Sequence, residues 1–379
     1  MASGRFQDSD GPIEDSLREL SRVNQSRLSL SHVTRKNMRA GATNCVRCAV
    51  LLLMSAISSF SQSVDRLHTF FKQNIGLKDS EIADIEQGKA VAKILDSPTP
   101  SEVFVFGSVF IKAQPRAYVH MAVDLDSLKS LPNYLAIRRF SSPPQLSDLS
   151  GFDLDAADVN DLRQCKPEKC EIQLPAENIE QFKSQIDWSG ADLVGQVNNL
   201  AKKMALEALL AYQKGGNAAL GTYRDKKSPA QVSEQFHALL SRSKVLPERL
   251  PAFYSYLLDY PKASLPDSSS VFYWEKVKFG LKPTLRMNQQ ITARATGEYG
   301  PIEVVAIKQL YASHYFQTAL DLNFCVPGNS EGFYLVTVKG SEQAGLTGAK
   351  GSIIRNVAID KTRASLDKSL AAIKTQLEK

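Results

Sequence analysis

Histidine is scarce. The 379-residue chain holds five, and four of them fall after residue 62: His68, His120, His237 and His314. They lie far apart and show none of the spacing of a metal site, so no metal ligand set is expected. There is no phosphate-cradling glycine loop, no G-x-G-x-x-G after a strand, no H-E-x-x-H and no G-x-S-x-G. These gaps argue against nucleotide-dependent enzymes, zinc hydrolases and α/β-hydrolases, and no cofactor and no catalytic residue is expected. Dense runs of Lys and Arg are missing too. The net charge is +6, but residues 1–61 hold eight Lys/Arg and five Asp/Glu; without them the balance is 38 against 35, or +3. A chain with so little concentrated positive charge is not expected to bind nucleic acid.

The hydrophobic fraction, 43%, is that of a globular protein, and the length allows one large domain or two ordinary ones. The longest apolar run covers residues 49–60, AVLLLMSAISSF. It is too short to span a bilayer, which takes ~20 residues. Met38, Arg39 and Arg47 precede it, and Ser59 and Ser61 follow with the spacing a signal peptidase accepts. This order predicts a signal peptide over 38–61 and export to the periplasm or beyond, with no transmembrane segment in the mature chain. Residues 1–37, polar and Ser-rich, read as a disordered leader or as sequence upstream of a start at Met38. Cys45 and Cys48 would be discarded with the signal. Of the remaining cysteines, Cys165 and Cys170 flank a short Pro-bearing loop and are expected to form a disulfide in an oxidising compartment. Cys325 is left over and is expected to be free and buried.

Three parts follow the signal. Residues 62–175 read as α+β, with strands over 102–111 and 134–140, a helix opening at Pro115, and a further strand over 170–174. Residues 176–262 read as a helical block, carried by Leu193, Val197, Leu200, Met204 and Ala208 at helical spacing. Residues 263–379 switch to period two. Leu285, Met287, Ile291 and Ala293 fall on one side of a strand, and Arg286, Asn288, Gln290, Thr292 and Arg294 on the other. Leu320, Leu322, Phe324 and Val326 alternate likewise with Asp321 and Asn323. The pattern predicts an antiparallel meander with one covered face. A last helix carries the stripe Leu366, Leu370, Ile373 and Leu377 and is expected to lie across that face. The expected class is α+β: an antiparallel sheet covered by a long C-terminal helix, with an α-helical insertion.

The strands over 271–339 and the helix over 352–377, preceded by strands near Gly88 and Glu102, make this order similar to the START-like helix-grip superfamily. The resemblance implies a sheet wrapping its C-terminal helix, with an apolar or lipid-like ligand between them. The helical block at 176–262 departs from the family's compact pattern.

Three clusters draw attention. KQLYASHYF at 308–316 brings together Tyr311, Ser313, His314 and Tyr315. Neighbours on a strand face opposite ways, so Ser313 and His314 are not expected to work as a pair with Asp321. The alternatives are aromatic packing around a satisfied histidine, or polar lining for a ligand. Tyr223, Arg224, Asp225, Lys226 and Lys227 could seat an anionic headgroup, or form a solvated helix end with local ion pairs. Trp274, on one face with Lys276 and Lys278, could be a ligand rim or a half-exposed tryptophan beside snorkelling lysines. Trp274, Arg286, Tyr311, His314 and Tyr315 are thus the candidate ligand-binding residues. The functional expectation is an exported binding protein for a lipid-like or other apolar ligand. The alternatives are a non-catalytic envelope-associated interaction protein of unknown partner, or a hydrolase-type enzyme using His314.

Overall fold

A computed structural model describes residues 63–129, 134–243, 245–278, 282–297, 300–328, 331–346 and 348–379. The leader and signal expected over 1–61 lie outside these residues. Helix α1 (63–70) runs on as a π-helical turn, Phe71–Ile75, and ends at Gly76. Then come α2 (Asp79–Glu86), β1 (Val91–Leu95), β2 (Glu102–Ile111), α3 (Pro115–Val123), α4 (Leu125–Lys129) and β3 (Tyr134–Arg139). Pro115 occupies the first turn of α3, where its missing N–H costs nothing. The helical block follows: α5 (Ala156–Gln164), α6 (Ala176–Gln185), α7 (Leu193–Gly215), a two-stranded ribbon of β4 (Thr222–Tyr223) and β5 (Ala230–Gln231), α8 (Val232–Ser241), α9 (Val245–Arg249) and α10 (Pro251–Asp259). The meander is β6 (Ser268–Lys278), β7 (Pro283–Gly297), β8 (Gly300–Ala312), β9 (Phe316–Pro327) and β10 (Phe333–Gln343), and the chain ends on α11 (Gly348–Leu377).

The class is α+β, with one eight-stranded sheet in the order β1-β2-β10-β9-β8-β7-β6-β3. Every pair is antiparallel. Strands of the N-terminal part and of the meander therefore share one sheet, joined through β2–β10 and β3–β6. The expected strand at 170–174 is absent; those residues run irregularly beside the β8–β9 turn. Within the block, the Asp192 side chain caps α7 by accepting from the Gly195 N–H at 3.2 Å. Gly216 closes it with φ +62°, and a Cβ there would lie 1.6 Å from the Tyr260 carbonyl oxygen, so only glycine fits.

Two expectations about the sheet need correction. Both of its faces are covered, not one. Leu285, Met287, Ile291, Ala293, Leu320 and Leu322 point to the block and to α1–α2, as the alternation predicts. The opposite face is also buried: Asn288 and Gln290 are 1% and 2% exposed, and Cys325 is buried and free. Alternation sorted the residues by face correctly, but polar residues on the second face do not mean solvent there. The second correction concerns α11. It packs against the sheet, but on the face opposite the meander's apolar side and over β1 and β2. Leu366 and Leu370 meet Val103, Val105, Val109 and Ile111. Gly107 makes the approach possible, since a Cβ there would come within 2.7–2.8 Å of the Leu370 and Leu366 methyls. Helices α3 and α4 cover the rest of that face.

Candidate ligand cavity

The apolar side of the meander does not pack solidly against its helices. Between β2, β8, β9 and β10 below and α1, α8 and α9 above lies a cavity of about 370 Å³. Its floor is Phe104, Leu320, Leu322, Val336 and Val338; its roof is Leu67, Phe70, Leu239 and Leu246. Asn74, Asp96, Arg242, Ser243 and Arg249 supply its polar lining. The Arg242 guanidinium is fixed by the buried Glu102 carboxylate, with Nε 3.0 Å from Oε2 and Nη2 3.0 Å from Oε1, and by Thr99 Oγ1 at 2.8 Å. Hydrogen bonding to Glu102 raises the Arg242 pKa further, so this positive charge is permanent. Volume, apolar walls and a few polar groups are what small-ligand sites share.

A second cavity, about 350 Å³, lies further along the same face between α6, α7 and the far ends of β7 and β8. Beside the second cavity is Lys308, only 1% exposed, in contact with Tyr212 of that cavity's lining. Its Nζ donates to Tyr212 Oη at 3.0 Å and to Asn217 Oδ1, and sits 4.0 Å from the centre of the Phe236 ring. Burial pushes the Lys308 amine well below its ordinary pKa. Tyr212 passes the network on to Gln289 Oε1 at 2.7 Å, and Asn217 Nδ2 donates to the Leu257 and Leu258 carbonyls. This lysine was not singled out from sequence. The signal was present: Ile302, Val304, Ala306 and Lys308 share one parity, and the first three are core residues.

The structure does not gather the five candidate residues. Tyr311 lines the second cavity. Trp274 is 1% exposed, not half-exposed; its Nε1 donates to the Asp148 carbonyl at 2.8 Å and its ring meets Phe152 edge-on at 5.6 Å. Lys276 beside it is tied to the Asp153 carbonyl and to Asp155. Arg286 lies on the α11 face, paired with the buried Glu275 at 3.0 Å. His314 is 5% exposed and bridges the Glu171 carbonyl and Asp158 Oδ2, each at 3.1 Å. Tyr315 has φ +65°, and its hydroxyl accepts from the Lys282 backbone N–H at 3.0 Å. Ser313 Oγ accepts from the Leu285 N–H, and Asp321 pairs with Lys339, so Ser313, His314 and Asp321 form no triad.

His314 instead anchors the loop closed by the Cys165–Cys170 disulfide. Burial opposes ionisation of Asp158, but hydrogen bonds from His314 and Lys282 outweigh it and hold the carboxyl below its ordinary pKa. The basic cluster after α7 joins the same assembly. Lys226 donates to the Cys170 carbonyl at 2.8 Å and pairs with Glu171, and Arg224 pairs with Glu168. Two of its cations, Arg224 and Lys226, are thus matched by acids in or next to the disulfide loop. Among the described residues, no group of three or more His, Cys, Asp or Glu side chains is placed to hold a metal ion. No helix there is long and apolar enough to cross a membrane. No family model matches the chain, and no curated protein matches it.

Proposed function

We propose that this chain is an exported binding protein that holds a lipid-like ligand, and that the ligand occupies the cavity between β2, β8–β10 and α1, α8 and α9. The carrying observation is that cavity's size and apolar lining. Its polar lining is sparse and the Arg242 charge in it is matched by Glu102, so the walls select for apolar bulk. The location differs from the sequence expectation, which put the ligand between the sheet and the C-terminal helix. The antiparallel sheet with a C-terminal helix against it neither supports nor excludes the expected resemblance to the helix-grip superfamily. On this reading the block at 176–262 adds a second layer, and the ligand space lies under that layer. The disulfide is in keeping with export.

Native mass spectrometry of protein recovered from an exporting host tests the reading. A lipid-sized mass retained in the native spectrum and lost on denaturation is expected. A bare chain that also fails to take up added fatty acid would overturn it.

A further inference from the structure

Helix α11 gives one side to the sheet, where Ile359, Leu366 and Leu370 are buried. A helix turns about 100° per residue, so Ile354, Val357, Lys361, Ala364 and Lys368 share the opposite side. All five are exposed, Ile354 by 55% and Val357 by 51%. Between Ile354 and Lys368 the chain carries four cations against two acids. The acids, Asp360 and Asp367, are turned about 100° away from Lys361 and Lys368. Among the described residues, α11 forms an ion pair between Lys374 and Glu378, and Lys361 and Lys368 have none. Single exposed aliphatics are ordinary on a surface. Two on one helix face, continued by unpaired lysines, make the composition of a helix that lies in a membrane interface. The same stretch adjoins the first cavity. Arg355 Nε donates to the Pro100 carbonyl at 2.9 Å, and Thr99 in the same turn accepts from Arg242 Nη2 at 2.8 Å. Leu95, Asp96 and Arg242 line that cavity.

We infer that the outer face of α11, from Ile354 to Lys368, docks on an anionic lipid surface. The inference rests on the lipid-binding reading above and names where the protein meets the bilayer that supplies or receives its ligand. Ile354 and Val357 enter the boundary between headgroups and acyl chains, and Lys361 and Lys368 meet the anionic headgroups. Charge favours a bilayer over a second copy of this chain. A self-complementary contact through this face would gather the lysines of both copies in one interface.

The test sediments protein recovered from an exporting host with vesicles of phosphatidylcholine, alone or mixed with phosphatidylglycerol. Binding to the mixed vesicles that fades as salt rises, and none to the neutral ones, is expected. Lys361→Gln/Lys368→Gln should weaken binding roughly tenfold or more, each lysine contributing about fivefold. Ile354→Ser/Val357→Ser should weaken it roughly tenfold as well, with the salt dependence kept. These side chains are exposed, so thermal stability should hold in both double variants. Lys203→Gln, which changes an exposed lysine on α7, should bind as wild type does. No sedimentation with either vesicle, equal binding to both, or double variants that bind like wild type would each overturn the inference. So would a concentration-dependent dimer that Ile354→Ser/Val357→Ser dissociates, which assigns the face to a second copy. Val338→Trp separates this claim from the ligand reading. It fills the first cavity and should leave vesicle binding intact, so docking stands or falls apart from fatty-acid uptake in solution.

Discussion

Lys308 Nζ lies 3.0 Å from Tyr212 Oη, and this contact joins the floor of the sheet to the longest helix of the block. Among the described residues, no carboxylate takes part. Two neutral oxygens and the Phe236 ring are its partners, in a site closed to solvent. The amine's pKa is depressed in the fold, so the unfolded chain binds more protons between that depressed value and about 10.4, the ordinary value. Stability from this group therefore grows as pH rises from the depressed folded value towards the unfolded one. Urea unfolding of wild type and Lys308→Met at pH 7 and pH 9.5 should show a gain at high pH in the wild type that the variant lacks. A variant with the same pH dependence would refute the assignment. Lys308→Ala removes the methylene packing as well and should cost about 2–4 kcal/mol.

Asp158 behaves with the opposite sign. Its folded pKa is held down, so its contribution is present above the unfolded value of about 3.9 and is lost as pH falls through the folded one. Asp158→Asn should lower stability at pH 7 by about 1–3 kcal/mol and flatten the acid limb of the pH–stability curve. Equilibrium denaturation from pH 2 to pH 7 reads both. An acid limb as steep as the wild type's would contradict the role given to His314 and Lys282.

The disulfide closes a loop with a sequence separation of 5, short enough that its chain-entropy effect is modest, about 2 kcal/mol. Cys165→Ala/Cys170→Ala should lose roughly that amount. Reductant should destabilise the wild type and leave the double variant unmoved, as thermal scans with and without it would show. Because the loop carries Glu171 against His314 and Lys226, hydrogen exchange should quicken at 313–316 and 224–227 together.

Much of the architecture was legible because period two and period 3.6 survive in the sequence. Leu285 to Ala293 and Leu366 to Leu377 each announce a face, and both faces are buried, the α11 stripe against β2 instead of the apolar side of the meander. What pattern cannot supply is the partner of a face. Nothing local in β7 says that Asn288 and Gln290 will be covered by α3 and α4, or that α11 will choose β2. That choice rests on Gly107, a single missing side chain on the other element. The site was less legible for a related reason. Polar residues near aromatic ones drew attention to His314 and Trp274, which are fully engaged in holding loops. The walls of both cavities are ordinary core-type side chains, and a void between them is set by packing at a distance. Lys308 was readable as buried by its parity with Ile302, Val304 and Ala306, but its partners on α7 were not.

The most direct test of the account is a titration of the full chain with a fluorescent fatty acid, set beside Val338→Trp and Tyr223→Phe. The account predicts saturable binding of one fatty acid per chain. It predicts loss of at least tenfold in affinity when Val338→Trp occupies the first cavity, and no change in Tyr223→Phe. Absence of fatty-acid binding, or binding that survives Val338→Trp, would contradict the claim that this cavity is the ligand site.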